Sequence, residues 1–282
     1  MEKLRLSKAI SPYLLAFFVF ATLTVGAQSL RYPQAARYPG LGAYSTHFTD
    51  VFSAVANQAA LARLTRTAAG VYAERRFMQE KLNNYQVMIG VPAGHGGWGI
   101  AAHYFGSADY NESMAGIAYA RQLGRIDLGV QFNYAMMRAA GYGGDGTAVV
   151  EVGTIWHITD QVHAGVHVFN PYGGKYGKQG GEKMAWGYKM GLGYELSQQV
   201  LVSAEWVKEE NRDVNVVAGI QYVLDKRFFA RLGIVSATAS PWVGAGWAWK
   251  QVRVDVTGTY HPQLGFTPGV LLLFETGKTR EP

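Results

Sequence analysis

From about Thr67 to Phe274 apolar residues recur at every second position, and no helical period takes hold. Three runs display the pattern. Ile126, Leu128, Val130, Phe132 and Tyr134 alternate with Asp127, Gly129, Gln131 and Asn133; Val214, Val216, Ala218, Ile220 and Tyr222 alternate with Asn215, Val217, Gly219 and Gln221; Val252, Val254 and Val256 alternate with Arg253, Asp255 and Thr257. Successive side chains of a strand point to opposite faces, so each run presents one apolar face and one polar, small or charged face. About fourteen such strands can be marked, centred near Val71, Val87, Ile100, Ile117, Val130, Val152, Val166, Met190, Val202, Ala218, Leu232, Gly246, Val256 and Leu271. Many run to roughly 9–12 residues, longer than the five or six typical of globular sheets and close to what a tilted strand needs to cross a bilayer.

The connections alternate in length. Those near Leu123-Gly124, Thr159-Asp160, Ser197-Gln198, Asp225-Lys226 and Lys250-Gln251 are tight, as is 92–97. Those at 77–83, 106–111, 138–146, 170–183 and 261–263 are longer or more irregular. Counted from the first strand, tight turns follow even strands and looser loops follow odd ones, the pattern of an outer-membrane barrel with periplasmic turns and extracellular loops. Since a sheet in hydrocarbon tolerates no open edge, the expectation is an all-β, closed, antiparallel transmembrane barrel. A soluble β-sandwich or lipocalin-like barrel would have shorter strands and a less apolar exposed face.

Composition agrees with that reading. Charged residues are 16% of the chain against about a quarter in soluble domains. The 35 glycines exceed the usual share, and aromatics reach 13%. Trp and Tyr toward strand ends suit the two membrane interfaces. Cysteine is absent, which removes disulfides, thiolate metal sites and cysteine nucleophiles. The net charge of +6 shows no clustered run of Lys or Arg, so nucleic acid is not an expected partner.

Residues 1–27 begin basic (Lys3, Arg5, Lys8) and continue with the apolar run Tyr13–Val25, closing on Gly26-Ala27-Gln28. The run is too short for a spanning helix, which needs roughly 20 residues, and fits the core of a cleaved signal peptide. Export to the outer membrane of a Gram-negative bacterium is the expected destination, with lipid and lipopolysaccharide as surroundings.

Residues 28–66 behave differently and are more than a barrel needs before its first strand (67–274, followed by a polar tail at 275–282). Tyr38-Pro39-Gly40-Leu41-Gly42 is rich in turn formers, and 50–61 reads as a short helix or turn with Asp50 as its N-cap. A segment of this size can fold back into the lumen as a plug. Gly40-Leu41-Gly42, Asp50 and Asn57-Gln58-Ala59-Ala60-Leu61 resemble the leading segment of FadL-like barrels, and especially of the PorV/PorQ family of Bacteroidetes outer-membrane proteins. The resemblance continues through Ile158-Thr159-Asp160, Val168-Phe169-Asn170-Pro171, Glu205-Trp206-Val207-Lys208, Arg231-Leu232-Gly233-Ile234, Gly244-Ala245-Gly246-Trp247 and His261-Pro262-Gln263-Leu264-Gly265. Gln58 stands where that pattern has proline. The resemblance implies a non-enzymatic accessory or scaffold of type IX secretion or surface attachment, with secretion-system or exported proteins as partners. Its FadL-like side implies instead a passive transporter of hydrophobic small molecules. On either implication Asp50, Asn57 and Leu61 are the plug or binding candidates.

The alternation assigns Asp127, Glu151, His157, His163, His167, Lys189, Glu195, Glu205, Arg227, Arg231, Arg253 and Asp255 to the lumen. Charges of both signs in a narrow protein-lined space are expected to pair across strands. A hairpin turning at Thr159-Asp160 sets His157 opposite His163, with His167 and Glu151 further along. Such a group can bind a transition metal, yet polar residues line any barrel, so no metal and no cofactor is expected. Gly94, Gly96 and Gly99 satisfy a dinucleotide fingerprint formally but lie between strands with no following helix. No nucleophile and base stand at a diagnostic spacing, and no enzymatic activity is expected. The loop 170–183 interleaves Lys and Tyr with Gly and offers a cationic surface to lipopolysaccharide phosphates or a partner protein.

Overall fold

The computed structural model describes residues 39–176, 183–225 and 227–276. The expected signal peptide and most of the polar tail lie outside the described residues. Period-two sequence becomes fourteen strands: β1 (Ala68–Arg75), β2 (Asn83–Ala93), β3 (Gly96–Gly106), β4 (Tyr110–Leu123), β5 (Ile126–Ala139), β6 (Gly143–His157), β7 (Val162–Phe169), β8 (Gly187–Ser197), β9 (Val200–Glu209), β10 (Asn215–Leu224), β11 (Phe228–Val235), β12 (Ser240–Trp249), β13 (Val252–His261) and β14 (Gly265–Glu275). Every strand pairs antiparallel with its sequence neighbours. β1 pairs with both β2 (Val71↔Val87) and β14 (Val71↔Leu272), which closes the sheet and leaves no open edge.

The alternation divides inside from outside. Along β5, Ile126, Leu128, Phe132 and Tyr134 face outward, whereas Asp127, Gln131 and Asn133 are buried within. Rings gather at the strand ends: Trp98 meets Tyr119 with centroids 4.7 Å apart, Trp247 stacks on Trp249 at 6.3 Å, and Tyr85 lies 6.2 Å from Tyr104. Their amphipathic bodies suit the headgroup level of a bilayer. Among the described residues no helix is long and apolar enough to cross a membrane.

Hairpins after even strands are tight. Gly94-His95 and Gly124-Arg125 each join two strands, with Gly94 (φ 51°) and Gly124 (φ 63°) in the left-handed backbone that two-residue hairpins demand. The connection expected at 138–146 is much shorter than its glycines suggested. β5 runs on to Ala139 and β6 starts at Gly143, because cross-strand pairs such as Arg138↔Gly144 extend the ladder beyond the apolar pattern. The β7–β8 loop, by contrast, spans Asn170 to Trp186.

The largest buried apolar cluster joins the N-terminal segment to the wall. Val51, Phe52, Leu61 and Leu64, all from the segment before β1, pack on Met88, Ala118, Ala120, Leu271 and Leu273 of the inner wall. A separate cluster of Ala135, Val149, Phe169, Tyr176 and Met184 joins β5, β6 and β7 to the β7–β8 loop.

Candidate functional site

The lumenal segment holds three short turns. A 3-10 turn spans Pro39–Tyr44, helix α1 spans Ser53–Ala56, and a second 3-10 turn spans Gln58–Arg63. The helix expected over 50–61 is thus broken at Asn57, whose backbone is extended (φ −154°, ψ 116°). Two side chains explain the break. Asp50 Oδ1 accepts from the N–H groups of Phe52 and Ser53 at 2.9 and 3.2 Å and closes the turn leading into α1, although Phe52 rather than the expected Asp50 is the N-cap residue. Asn57 Oδ1 accepts from the N–H of Ala59 at 3.1 Å and starts the next turn, while its Nδ2 donates to the carbonyls of Thr154 on β6 and Val166 on β7 at 3.1 and 3.2 Å. One side chain thereby caps the plug and ties together two wall strands.

The wall is shaped to receive the plug, and glycine does the shaping. A Cβ on Gly191 would lie 1.9 Å from the Tyr44 ring, one on Gly193 would lie 1.8 Å from the Tyr44 carbonyl, and one on Gly165 would lie 2.8 Å from the same ring. Gly153 leaves room for the Asn57 amide (2.1 Å), Gly129 for the backbone of Ala59 (2.5 Å), Gly97 for the carbonyl of Leu61 (2.4 Å) and Gly70 for the Phe52 ring (2.5 Å). Contacts of this kind leave no space for any side chain. Leu61 itself is fully buried against Gly90 and Gly99. Much of the glycine excess is accounted for by this socket.

Polar contacts hold the plug as well. Asp50 Oδ2 accepts from Arg253 Nη2 at 2.9 Å and lies 3.7 Å from Arg231 Nη2; Asp255 faces the same two guanidiniums, 3.1 Å from Arg253 Nε and 4.0 Å from Arg231 Nη1. Two carboxylates and two guanidiniums balance in charge, and every member is buried. Glu151 collects Gln58 Nε2 (2.6 Å), Asn133 Nδ2 (2.7 Å) and His167 Nε2 (2.9 Å). Lys189 reaches the carbonyl of Ala56 at 3.5 Å, and Glu205 lies beside the Tyr44 phenol.

A third group runs along the tight-turn end. Arg63 Nε donates to Asp127 Oδ2 at 2.7 Å, and the same oxygen takes His157 Nε2 at 2.7 Å. His157 Nδ1 meets His163 Nδ1 at 2.8 Å across the β6–β7 pair, and His163 Nε2 stands 3.1 Å from Glu195 Oε1. Glu195 in turn accepts from the backbone N–H of Thr46 and from the His47 ring. The three histidines assigned to the lumen are all inside, but His167 belongs to the Glu151 group. Among the described residues no three His, Asp or Glu side chains are arranged to hold a metal ion.

One lumen assignment is corrected. Arg227 lies in the β10–β11 turn and is exposed, since the strand ends at Leu224 before the alternation reaches it. Sequence reasoning did not single out Tyr44, His47 and Arg63, although they make plug contacts as close as those of Asp50 and Asn57. Their signal lay in the facing glycines and carboxylates, which is visible only once the partners are known.

Above the plug, at the end where the loops are longer, a cavity of about 470 Å³ opens. Tyr72, Phe77 and Trp242 contribute rings to it, and Glu74, Arg76, Glu209, Arg212 and Asp213 contribute charge. Phe77 and Met78 both have positive φ (55° and 58°), uncommon for non-glycine residues. Phe77 is held there by its N–H on Thr267 Oγ1 (2.9 Å) and edge-to-face contact with His261 (5.7 Å). In the β7–β8 loop, Asn170 ties the backbone at Met184 (2.8 Å) and Gly174 (3.0 Å), Tyr176 is buried, and Tyr172 points into solvent.

No family model and no curated protein matches the chain. Solved structures do match in fold. The toluene transporter TodX of Pseudomonas putida superposes with a TM-score of 0.61 at 10% identity, covering 86% of this chain and 98% of its own. The toluene transporter TbuX of Ralstonia pickettii gives 0.58 at 10% identity, with 89% and 98% covered. The chain has the barrel fold of these transporters. At such identity the likeness extends to fold alone.

Proposed function

We propose that this chain is a plugged outer-membrane channel that admits small hydrophobic molecules without catalysing a reaction. The observation that carries the reading is the pairing of a closed lumen with a mouth. A cavity of about 470 Å³ with aromatic rings opens at the long-loop end, and two of its lining rings, Tyr72 and Trp242, belong to the clusters that also hold the chain's own N-terminal segment. The plug is joined to the rest of the lumen by side-chain contacts, so it can stop the passage and still be displaced. The toluene transporters of like fold support the substrate class. The outer leaflet of lipopolysaccharide is the barrier such a channel circumvents. The test is uptake of radiolabelled toluene by cells that lack a hydrocarbon channel and carry this chain folded in the outer membrane. Uptake several-fold above cells with an empty vector is expected; equal uptake overturns the reading.

A second reading has its own support. The lumen is filled from Asp50 to Arg63 and ion-paired on several sides, as suits an accessory or scaffold of type IX secretion or surface attachment that conducts nothing. Crosslinking in the native membrane distinguishes the two. Specific recovery of a secretion-system or exported protein, without toluene uptake, favours the scaffold.

A further inference from the structure

The contact between His157 Nδ1 and His163 Nδ1, at 2.8 Å, restricts which of the two nitrogens can carry a proton. Asp127 Oδ2 already accepts from the guanidinium of Arg63 at 2.7 Å, and His157 Nε2, 2.7 Å from the same acceptor oxygen, meets it with its N–H. Neutral His157 then presents a lone pair at Nδ1, and His163 Nδ1, 2.8 Å away, must be the donor. His163 Nε2 stands 3.1 Å from the Glu195 carboxylate, so a proton on that nitrogen would lie beside a charge of opposite sign. One charged and one neutral imidazole satisfy all three contacts. Two charged imidazoles set N–H against N–H and place two cations side by side.

We propose that the His157–His163 pair is a proton-operated latch that holds the plug against the wall when one imidazole is charged and releases it when both are. The pair belongs to the wall, on β6 and β7, and its outer partners grip the plug. Asp127 of β5 holds Arg63, and Glu195 of β8 holds His47 and the backbone of Thr46, whose hydroxyl lies 3.5 Å from His157 Nδ1. The charged and titratable groups facing the pair are thus Arg63 and His47 from the plug, Asp127 from β5 and Glu195 from β8. Arg125, in the β4–β5 turn, donates to the carbonyl of Ile158 next to His157. A second proton therefore enters a group that already holds Arg63, and parting the two rings shifts the very side chains that orient Asp127 and Glu195. Protons have a route in, because the His47 side chain is about half exposed (51%) and touches Glu195.

The chain has no cysteine, so paired spin labels can be placed without background. The experiment attaches them at Thr49→Cys on the plug and Gln198→Cys in the β8–β9 turn, in the refolded full-length protein, and measures the interlabel distance by pulsed EPR from pH 8 to pH 5. A single narrow distance is expected at pH 8. At pH 5 a second, longer population at least three-fold larger is expected, absent from His163→Asn and His157→Asn, each of which leaves only one imidazole. A wild-type distribution that does not change with pH overturns the latch, as does a change that both variants retain. If neither variant folds, ring 15N shifts of histidine-labelled wild type decide: proton uptake by a buried imidazole over the same pH range as the distance change supports the latch, and its absence overturns it. Plug position is the readout, so the result stands apart from what the barrel admits.

Discussion

At the scale of single residues, position 191 shows how the lumen was matched to the plug. Its Cβ would lie 1.9 Å from the Tyr44 ring, whereas a Cβ on Gly187 of the same strand would meet nothing closer than 3.8 Å. Gly191→Ala must displace Tyr44 or bend β8, and overpacking of this kind costs about 1–3 kcal/mol. Gly187→Ala should be neutral. Urea unfolding in detergent, followed by barrel mobility on unheated gels, distinguishes the two, and equal midpoints would contradict the socket. Asp50 is the other decisive side chain. Asp50→Ala removes one of two carboxylates facing two buried guanidiniums, and leaving such a charge uncompensated costs about 3–5 kcal/mol. Asp50→Asn keeps the oxygen that closes the turn before α1 but not the charge, so it should be as damaging to the docked plug while sparing the local turn. By contrast, Lys81 and Asp109 pair at 2.6 Å in open loops. Each pushes the other further into its charged range, Lys81 up and Asp109 down. Exposed pairs of this sort are screened by water and salt, so Lys81→Ala should leave the unfolding midpoint unchanged.

At the scale of elements, Asn57 does what no isolated turn can do for itself. It ends α1, starts the next turn and bridges the carbonyls of β6 and β7. Asn57→Ala strips a donor from buried carbonyls, a loss of about 1–3 kcal/mol that should appear as a less stable barrel and as a broader plug distance in the labelled protein. A retained narrow distance would show that the glycine socket suffices. The strands were legible in sequence because their apolar positions repeat at period two, and β5, β10 and β13 carry that pattern without interruption. The plug was legible as a segment, through its turn formers and its surplus length, but its internal form was not. Asn57 reads equally well as a residue within a helix until the carbonyls of Thr154 and Val166 are in place. The reach of β5 and β6 beyond the apolar pattern was hidden for the same reason, since ladder pairing across 138–146 depends on the facing strand.

At the scale of the whole molecule, a closed sheet enclosing its own N-terminal segment makes one further prediction. Removing 39–63 takes away the contacts that fill the lumen and leaves a wall lined by glycines and unpaired charges. The shortened barrel should conduct ions in planar bilayers at a level well above the intact chain. Comparable conductance from both would mean that the plug does not stop the lumen. The sequence by itself determined the barrel, its strand number and, within the strands, the face of most side chains, Arg227 at the β10–β11 turn excepted. Those properties follow from period-two alternation, from connection lengths and from the rule that a sheet in hydrocarbon must close. It also put Asp127, His157, His163, Arg231, Arg253 and Asp255 in the lumen, one position at a time. Only the tertiary structure decided whom each of them meets. Asp50 and Arg253 are some two hundred residues apart, as are Tyr72 and Thr257, and such contacts exist only once fourteen strands have set their register and the plug has found its glycines. Alternation fixes a side chain's face, but its partner depends on curvature, register and the space left by missing side chains, which no single strand encodes.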